Sequence, residues 1–371
     1  MLIFGKKEQV ISASLSSRAW HVFRHDPLGM GSLVFICLAC FIAVLGYLIT
    51  PDSTPFANQQ FLELGLKKPG FSVEILYVRK PDAPHPAGIL RTMLFGTSNQ
   101  YTQIPVSSCR IIRDSLIYKP YGEFARFGDK DLKLPLSMVK MPEKRTFLLG
   151  TDRFGRDYLS QLIIGARISL SVGLISVFIS LLIGISLGAL AGYYRGWVDN
   201  IIMWFINVVW SIPTLLLVIA ITFALGKGFW QVFVAVGLTM WVDVARMVRG
   251  QVLSLKEKEF VEAGLALGYS DSRIIIRHIL PNVMAAVIVI SAANFASAIL
   301  LEAGLSFLGI GVQPPVPSWG SMIKENYGYI ILDNAYLAIL PGIAIMLLVL
   351  SFMLIGNALR DALDVRTVSL S

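Results

Sequence analysis

Residues 255–282 read LKEKEFVEAGLALGYSDSRIIIRHILPN, a charged island between two apolar runs of membrane-spanning length. Strong helix formers dominate 255–267, with charges at Lys256, Glu257, Lys258, Glu259 and Glu262. Gly268 then supplies a stop, because glycine accepts the left-handed backbone that ends many helices. Ser270 or Asp271 can cap a second helix by accepting hydrogen bonds from its free amides. That second helix carries Ile274, Ile275 and Ile276 beside Arg273, Arg277 and His278, and Pro281 limits its continuation. The pattern predicts a short helix along the membrane surface, with isoleucines and cations exposed. Lipid headgroups would accept such a face, and so would a groove on a protein outside the membrane. The physics of the residues leaves both open.

The flanking runs fix the fold class. The 371 residues are 55% hydrophobic and 15% charged, with mean hydropathy +0.67. A soluble domain carries about 25% charged residues. Several runs are apolar all round for roughly 20 residues, enough to cross a bilayer core as a helix. Six spans are predicted, at 31–50, 167–193, 200–225, 229–248, 282–310 and 336–359. The net charge of +8 fits Lys and Arg on cytoplasmic loops. No nucleic-acid motif accompanies it, so nucleic acid is not an expected partner. Cys37 and Cys40 lie inside the first span and read as small buried apolar side chains, with zinc or redox chemistry the minor alternative.

The opening 30 residues lack a continuous apolar core of signal-peptide length. Lys6, Lys7, Arg18 and Arg24 hold this segment in the cytoplasm. The Arg195 turn, the 249–281 island and the C-terminal tail then also fall inside. Arg246, Arg249, Lys256, Lys258, Arg273, Arg277, Arg360 and Arg366 lie on that side. The long stretch 51–149 falls outside despite its own cations, because the charge rule weakens for loops beyond about 60 residues. Its β-like runs, 71–78 and 103–112, predict a small β-rich insert. Glu74, Arg79 and Lys80 read as its solvated surface, and His85 as a loop residue among prolines.

The segment from Glu262 through Ala263, Gly264, Leu265, Ala266 and Leu267 to Gly268, then Ile279, Leu280 and Pro281, resembles the EAA loop of ABC importer permeases. Gly264 stands where alanine is usual, and His278 where isoleucine is usual. The run from Gly150 through Asp152, Arg153 and Arg156 to Asp157 is similar to a segment of the dipeptide and oligopeptide permeases. So are Ser211-Ile212-Pro213, the stretch from Glu302 to Gly309, Pro317-Ser318-Trp319-Gly320, and residues 359–364. The resemblance covers 146–366 and, less fully, 16–50; the 51–145 insert departs from it.

The resemblance implies the C-type permease subunit of a peptide ABC importer. It implies an all-α polytopic membrane protein with six transmembrane helices of the type I kind and a β-rich extracytoplasmic insert after the first helix. The layout is a cytoplasmic 1–30, a first helix 31–50, the insert 51–149, a permease core 150–366 and a tail 367–371. The location implied is the bacterial inner membrane, multi-pass, with both termini cytoplasmic. The partners implied are a second permease, two ABC ATPases, a solute-binding protein, a peptide and membrane lipid. ATPase coupling would fall to Glu262, Ala263, Gly264, Gly268, Ser270, Asp271, Arg273, Ile274, Ile275, Arg277, His278 and Pro281.

The chain carries no G-x-x-x-x-G-K-[ST] phosphate cradle. ATP and Mg are therefore expected on the partner ATPases, and this subunit is expected to be non-catalytic. Other residues have two readings. Asp243 pairs locally with Arg246, three residues on. Glu302 lines the pathway or pairs within the bundle. Arg153, Arg156 and Asp157 anchor the outer interface, while the resemblance implies a structured gate-side segment. Trp319 belongs to an aromatic belt, while the resemblance implies a loop folded back toward the pathway. Pro213 kinks its span, as a gate or statically. The alternative functions are a proton-coupled carrier, which needs midplane ionisable residues, and a channel-like membrane protein.

Overall fold

The computed structural model describes residues 15–81, 88–112, 114–122, 132–226 and 228–363. His85, Lys6, Lys7 and Arg366 lie outside the described residues. Helices α1 (Leu15–His25) and α2 (Pro27–Ile49) open the chain, α2 capped by the Asp26 carboxylate on the amides of Leu28 and Gly29. The insert follows, with a short helix α3 (Ile89–Phe95) between its first two strands. The bundle is α4 (Tyr158–Tyr194), α5 (Gly196–Trp210), α6 (Thr214–Leu225), α7 (Phe229–Lys256), α8 (Glu259–Ala266), α9 (Asp271–Leu308), α10 (Trp319–Asn326) and α11 (Tyr336–Leu363). Five of these helices are long and apolar enough to cross a membrane, and α5 with α6 makes a sixth span if counted together.

The third expected span is not one rod. It breaks between Trp210 and Thr214 and bends by 93°. Pro213 explains the break, since its ring removes an amide and clashes with the preceding turn. Cys37 and Cys40 are exposed rather than buried. They share α2 with exposed Val34, Leu38, Phe41 and Leu48. A helix apolar all round has no separate inward stripe to signal which of its residues are buried.

The longest contact joins α4 to α7, and small residues make it possible. Ser176, Ser180, Gly184, Gly188 and Gly192 recur every four positions on α4 and are all buried. A Cβ at Gly184 would lie 2.5 Å from Val244 Cβ, and one at Gly188 2.5 Å from the Ala245 carbonyl oxygen. Without a hydrophobic driving force between helices in lipid, such close backbone approach supplies the packing. Gly188→Leu should therefore cost about 1–3 kcal/mol, the usual scale of overpacking. Thermal unfolding of the purified protein in detergent checks it, and a variant as stable as the parent would contradict the close contact.

The insert is a five-stranded antiparallel sheet in the order β4-β3-β2-β1-β5. Its strands are β1 (Phe71–Arg79), β2 (Tyr101–Ile112), β3 (Ser115–Pro120), β4 (Leu132–Pro135) and β5 (Val139–Phe147). The β-like runs noted in the sequence fall in β1 and β2. Leu64, Ile75 and Phe147 are buried in one apolar cluster, and Leu76 and Leu116 in a second, on the other face of the sheet. At the sheet-side end of α4, the Asp52 amide donates to Ser160 Oγ at 3.0 Å.

The run 150–157 is a buried knot at that same end. Arg156 Nε donates to Asp152 Oδ2 at 2.5 Å, and Arg156 Nη2 to Glu325 Oε2 at 2.6 Å. Burial pulls on the Arg156 guanidinium, but the two carboxylates outweigh it and hold its pKa above the ordinary value. Asp157 caps α4 by accepting from the Ser160 amide at 2.8 Å. Arg156 therefore does not snorkel at an interface as the sequence suggested; its side chain is 7% exposed because it ties the start of α4 to α10. Arg153 is exposed and lies over the Phe154 ring at 4.5 Å.

Candidate functional site at the end of the bundle opposite the sheet

The charged island sits at the other end of α4. The fourth-span helix α7 runs on to Lys256, so residues 255–256 belong to it and the first loop helix is only α8. Gly268 is left-handed, with φ +77°, as its position predicts. Ser270 occupies the N-cap of α9 without a side-chain bond. Asp271, in the first turn, accepts from Tyr193 Oη at 2.7 Å.

Pro281 does not end a short surface helix. The chain runs on as one helix from Asp271 to Leu308, through a π-turn at Ile275–Ile279. A proline in a helix clashes with the carbonyl four residues before it, here that of Arg277. The wider π-turn relieves that crowding and keeps the rod continuous. The second loop helix is thus the projecting end of the fifth span.

Nor are the isoleucines exposed as a set. Ile274 is 0% and Ile275 8% exposed, while Ile276 is 65% exposed. Ile274, Ile275 and Ile279 pack with Val244, Val248, Val252 and Val261 in one apolar cluster, and buried Tyr193 closes it. Lys256 Nζ donates to the Tyr193 carbonyl at 2.5 Å. Arg195 pairs with Glu257 at 2.7 Å. Arg249 forks onto both Asp199 oxygens at 2.6 Å. Arg273 lies 3.9 Å over the Tyr269 ring, and His278 stacks on the same tyrosine at 5.6 Å. The apolar cluster and the Tyr193–Asp271 bond tie the loop to α4 and α7.

Of the residues expected to couple, Glu262, Ala263, Gly268, Ser270, Asp271, Arg273, Arg277 and Pro281 are exposed. His278 is half-buried, and Gly264, Ile274 and Ile275 form the base. Leu265 and Leu267 stand out as well, 48% and 69% exposed at the tip. Sequence reasoning passed over both. Their signal was present: apolar side chains at the end of a short charged helix, one residue before a left-handed glycine. The loop thus presents two exposed leucines on a base packed against α4 and α7.

Gly264 stands where the resemblance expects alanine, and the space allows one. A Cβ there would meet Tyr269 Cδ2 at 3.4 Å and Ile274 Cγ1 at 3.9 Å, both ordinary contacts. Gly264→Ala should stabilise the loop by about 0.5–1 kcal/mol, the gain for alanine inside a helix. Slower hydrogen exchange across 259–267 is the expected reading, and faster exchange would contradict the placement.

The pathway candidates separate. Pro213 lines a cavity of about 510 Å³ at the α5–α6 break, with Trp210, Thr239, Asp243, Asn294 and Ser297. Glu302 does not reach it. Its side chain is 0% exposed and accepts from Ser306 Oγ at 2.6 Å. Ser318 Oγ donates to Ser306 Oγ in turn, at 3.3 Å. Glu302 thus joins α9 to the loop before α10, the bundle role rather than the pathway role. Trp319 is not a belt residue: it is 5% exposed, and its Nε1 donates to the Leu162 carbonyl at 2.9 Å. Asp243 does not pair with Arg246, whose Nη2 donates to Asn207 Oδ1 at 2.9 Å while its guanidinium covers Trp210 at 4.1 Å. Arg246 reaches across to α5 instead of back to its helical neighbour.

Residues 184–369, half the chain, match the family of binding-protein-dependent transport system inner membrane components. The chain belongs to that family. Residues 14–69 match the N-terminal transmembrane domain of oligopeptide transport permease C. Two relatives of this inner membrane component are permease subunits. The glutathione transport system permease protein GsiD of Pectobacterium atrosepticum is 43% identical over 216 residues, 58% of this chain and 71% of its own length. The dipeptide transport system permease protein DppC of Alkalihalophilus pseudofirmus is 42% identical over 215 residues, 58% and 70% of the two chains. A solved structure of the MetNI methionine ABC transporter in an inward-facing conformation is 20% identical, with TM-score 0.46, over 55% of this chain and 97% of that one. The chain is thus a multi-pass inner membrane protein of the ABC importer permease kind.

Proposed function

We propose that this chain is one of two homologous permeases of an ATP-driven peptide importer, and that the 257–278 loop is its contact with a cytoplasmic ATPase. The observation that carries this is the exposed Leu265–Leu267 tip on a base fixed to α4 and α7. The similarity to GsiD and DppC supports peptide cargo. ATP and Mg sit on two partner ATPases, and this subunit performs no chemistry. A solute-binding protein delivers the peptide at the opposite end, where the sheet lies. The loop end is cytoplasmic, in keeping with Arg246, Arg249, Lys256, Lys258, Arg273 and Arg277 gathered there.

The mechanics follow from stiffness. Closure of the ATPases on ATP displaces the loop. Because α9 is one rod from Asp271 to Leu308, that displacement reaches mid-membrane without an intervening hinge. The 93° break at Pro213 lets α5 and α6 move as separate pieces beside it. The exposed Trp197, Trp204 and Trp210 of α5 offer the second permease an apolar face. Coupling then amounts to one contact biasing two arrangements of the bundle.

The test is co-purification followed by an ATPase assay with peptide-loaded binding protein. The expected result is an ATPase in the complex, stimulated by the loaded binding protein. Uptake that persists without ATP and collapses with the proton gradient would establish the carrier instead. Purification with no ATPase would favour a channel-like or structural protein.

A further inference from the structure

We propose that Asp243 holds the ammonium group of a peptide during its passage, an inference that rests on the peptide-importer reading above. Asp243 stands at the middle of the 28-residue helix α7. α7 is longer than the sequence suggested because its last turns, ending at Lys256, project into the cationic loop end. An ionised carboxylate within a span is expensive unless it faces a polar cavity or a partner.

Asp243 has the cavity and lacks the partner. It is exposed, and it lines the 510 Å³ space at the α5–α6 break. Among the described residues it is the one ionisable side chain on that wall. The nearest candidate to neutralise it, Arg246, is committed to Asn207 and Trp210. Thr239, Asn294 and Ser297 line the same space, and most of the remaining wall is apolar.

The chemistry selects a monovalent organic cation. A divalent metal takes six or more oxygen ligands, commonly with several carboxylates. The described residues contain no group of three or more metal-ligating side chains. An ammonium needs three acceptors, which one carboxylate and neighbouring hydroxyl or amide oxygens can supply. The apolar remainder of the wall suits peptide side chains of varied kind. A permease that must pass many peptides gains from gripping what they share, the amino terminus.

The test uses the complete complex in proteoliposomes, given equal amounts of binding protein loaded with a peptide bearing a free or an acetylated amino terminus. The wild type should take up the free-amine peptide faster by about tenfold, the worth of one charge-assisted hydrogen bond. Asp243→Asn should bring the two rates together, and Asp243→Glu should retain the preference. A purely structural role would slow both peptides and keep their ratio; that result, or an unaltered ratio in Asp243→Asn, overturns the inference. A wild-type complex that hydrolyses ATP yet takes up neither peptide overturns the peptide reading and this inference with it.

Discussion

Arg156→Ala should lower the stability of the protein by about 3–5 kcal/mol, the cost of breaking a buried ion pair from one side. The deletion leaves Asp152 at 3% and Glu325 at 17% side-chain exposure, both facing an emptied site. It also removes the ion pair that joins the start of α4 to α10, leaving the Trp319 bond to the Leu162 carbonyl between them. Asp152 cannot simply turn to water, since its Oδ1 accepts from the amides of Phe154 and Arg156. Arg156→Lys should fall between the parent and the alanine variant, because one ammonium cannot fork across two carboxylates. Neutralising the acids together, as Asp152→Asn and Glu325→Gln with Arg156→Met, should recover much of the loss. Denaturation of the purified protein in detergent reads all three. An alanine variant within about 0.5 kcal/mol of the parent, the range of ordinary surface substitutions, would show that the knot does not hold the sheet-side end of the bundle together.

Leu267→Asp should separate ATP hydrolysis from uptake while leaving the protein folded. Leu267 is 69% exposed and sits just before left-handed Gly268, so a carboxylate there disturbs no internal packing. Against an apolar hole on a partner it introduces an unpaired charge at the centre of the contact. Truncations at such hot spots cost 2 kcal/mol or more, roughly thirtyfold in binding. Transport should fall by about that factor, while unfolding temperature and membrane insertion match the parent. Ile274→Asp should behave differently. Ile274 is 0% exposed within the loop's base, so the charge would be buried without a partner and the loop should lose its shape. Proteolysis of the loop distinguishes the two: increased for Ile274→Asp, unaltered for Leu267→Asp. Equal protease sensitivity in both variants would contradict the division of the loop into base and tip.

The contrast between these variants shows where sequence reading sufficed. Apolar length located the spans, and short β-like runs between Pro and Gly clusters located β1 and β2, because both signals come from contiguous residues. Gly268 announced its left-handed turn for the same reason. Burial on α9 was not legible locally. Ile274, Ile275 and Ile276 look alike in the sequence, and only the arrival of α4 and α7 on one side of the helix divides them. Pro281 misled because the rule for proline assumes an α-helical preceding turn, and the π-turn at Ile275–Ile279 sets that assumption aside. Asp243 and Arg246 show the same limit: their spacing permitted a pair, but Asn207 and Trp210 on another helix claimed the arginine. The glycine spacing on α4 was readable throughout; it marks the closest helix contact and asks only for attention to every fourth residue.

The most direct measurement places a single cysteine at Leu267, in a chain with Cys37, Cys40 and Cys109 replaced, and applies a short thiol cross-linker in the native membrane. The account predicts a specific adduct with the ATPase whose yield responds to ATP. An adduct with lipid-bound probes alone, or labelling from the side of the membrane where the binding protein acts, would contradict it.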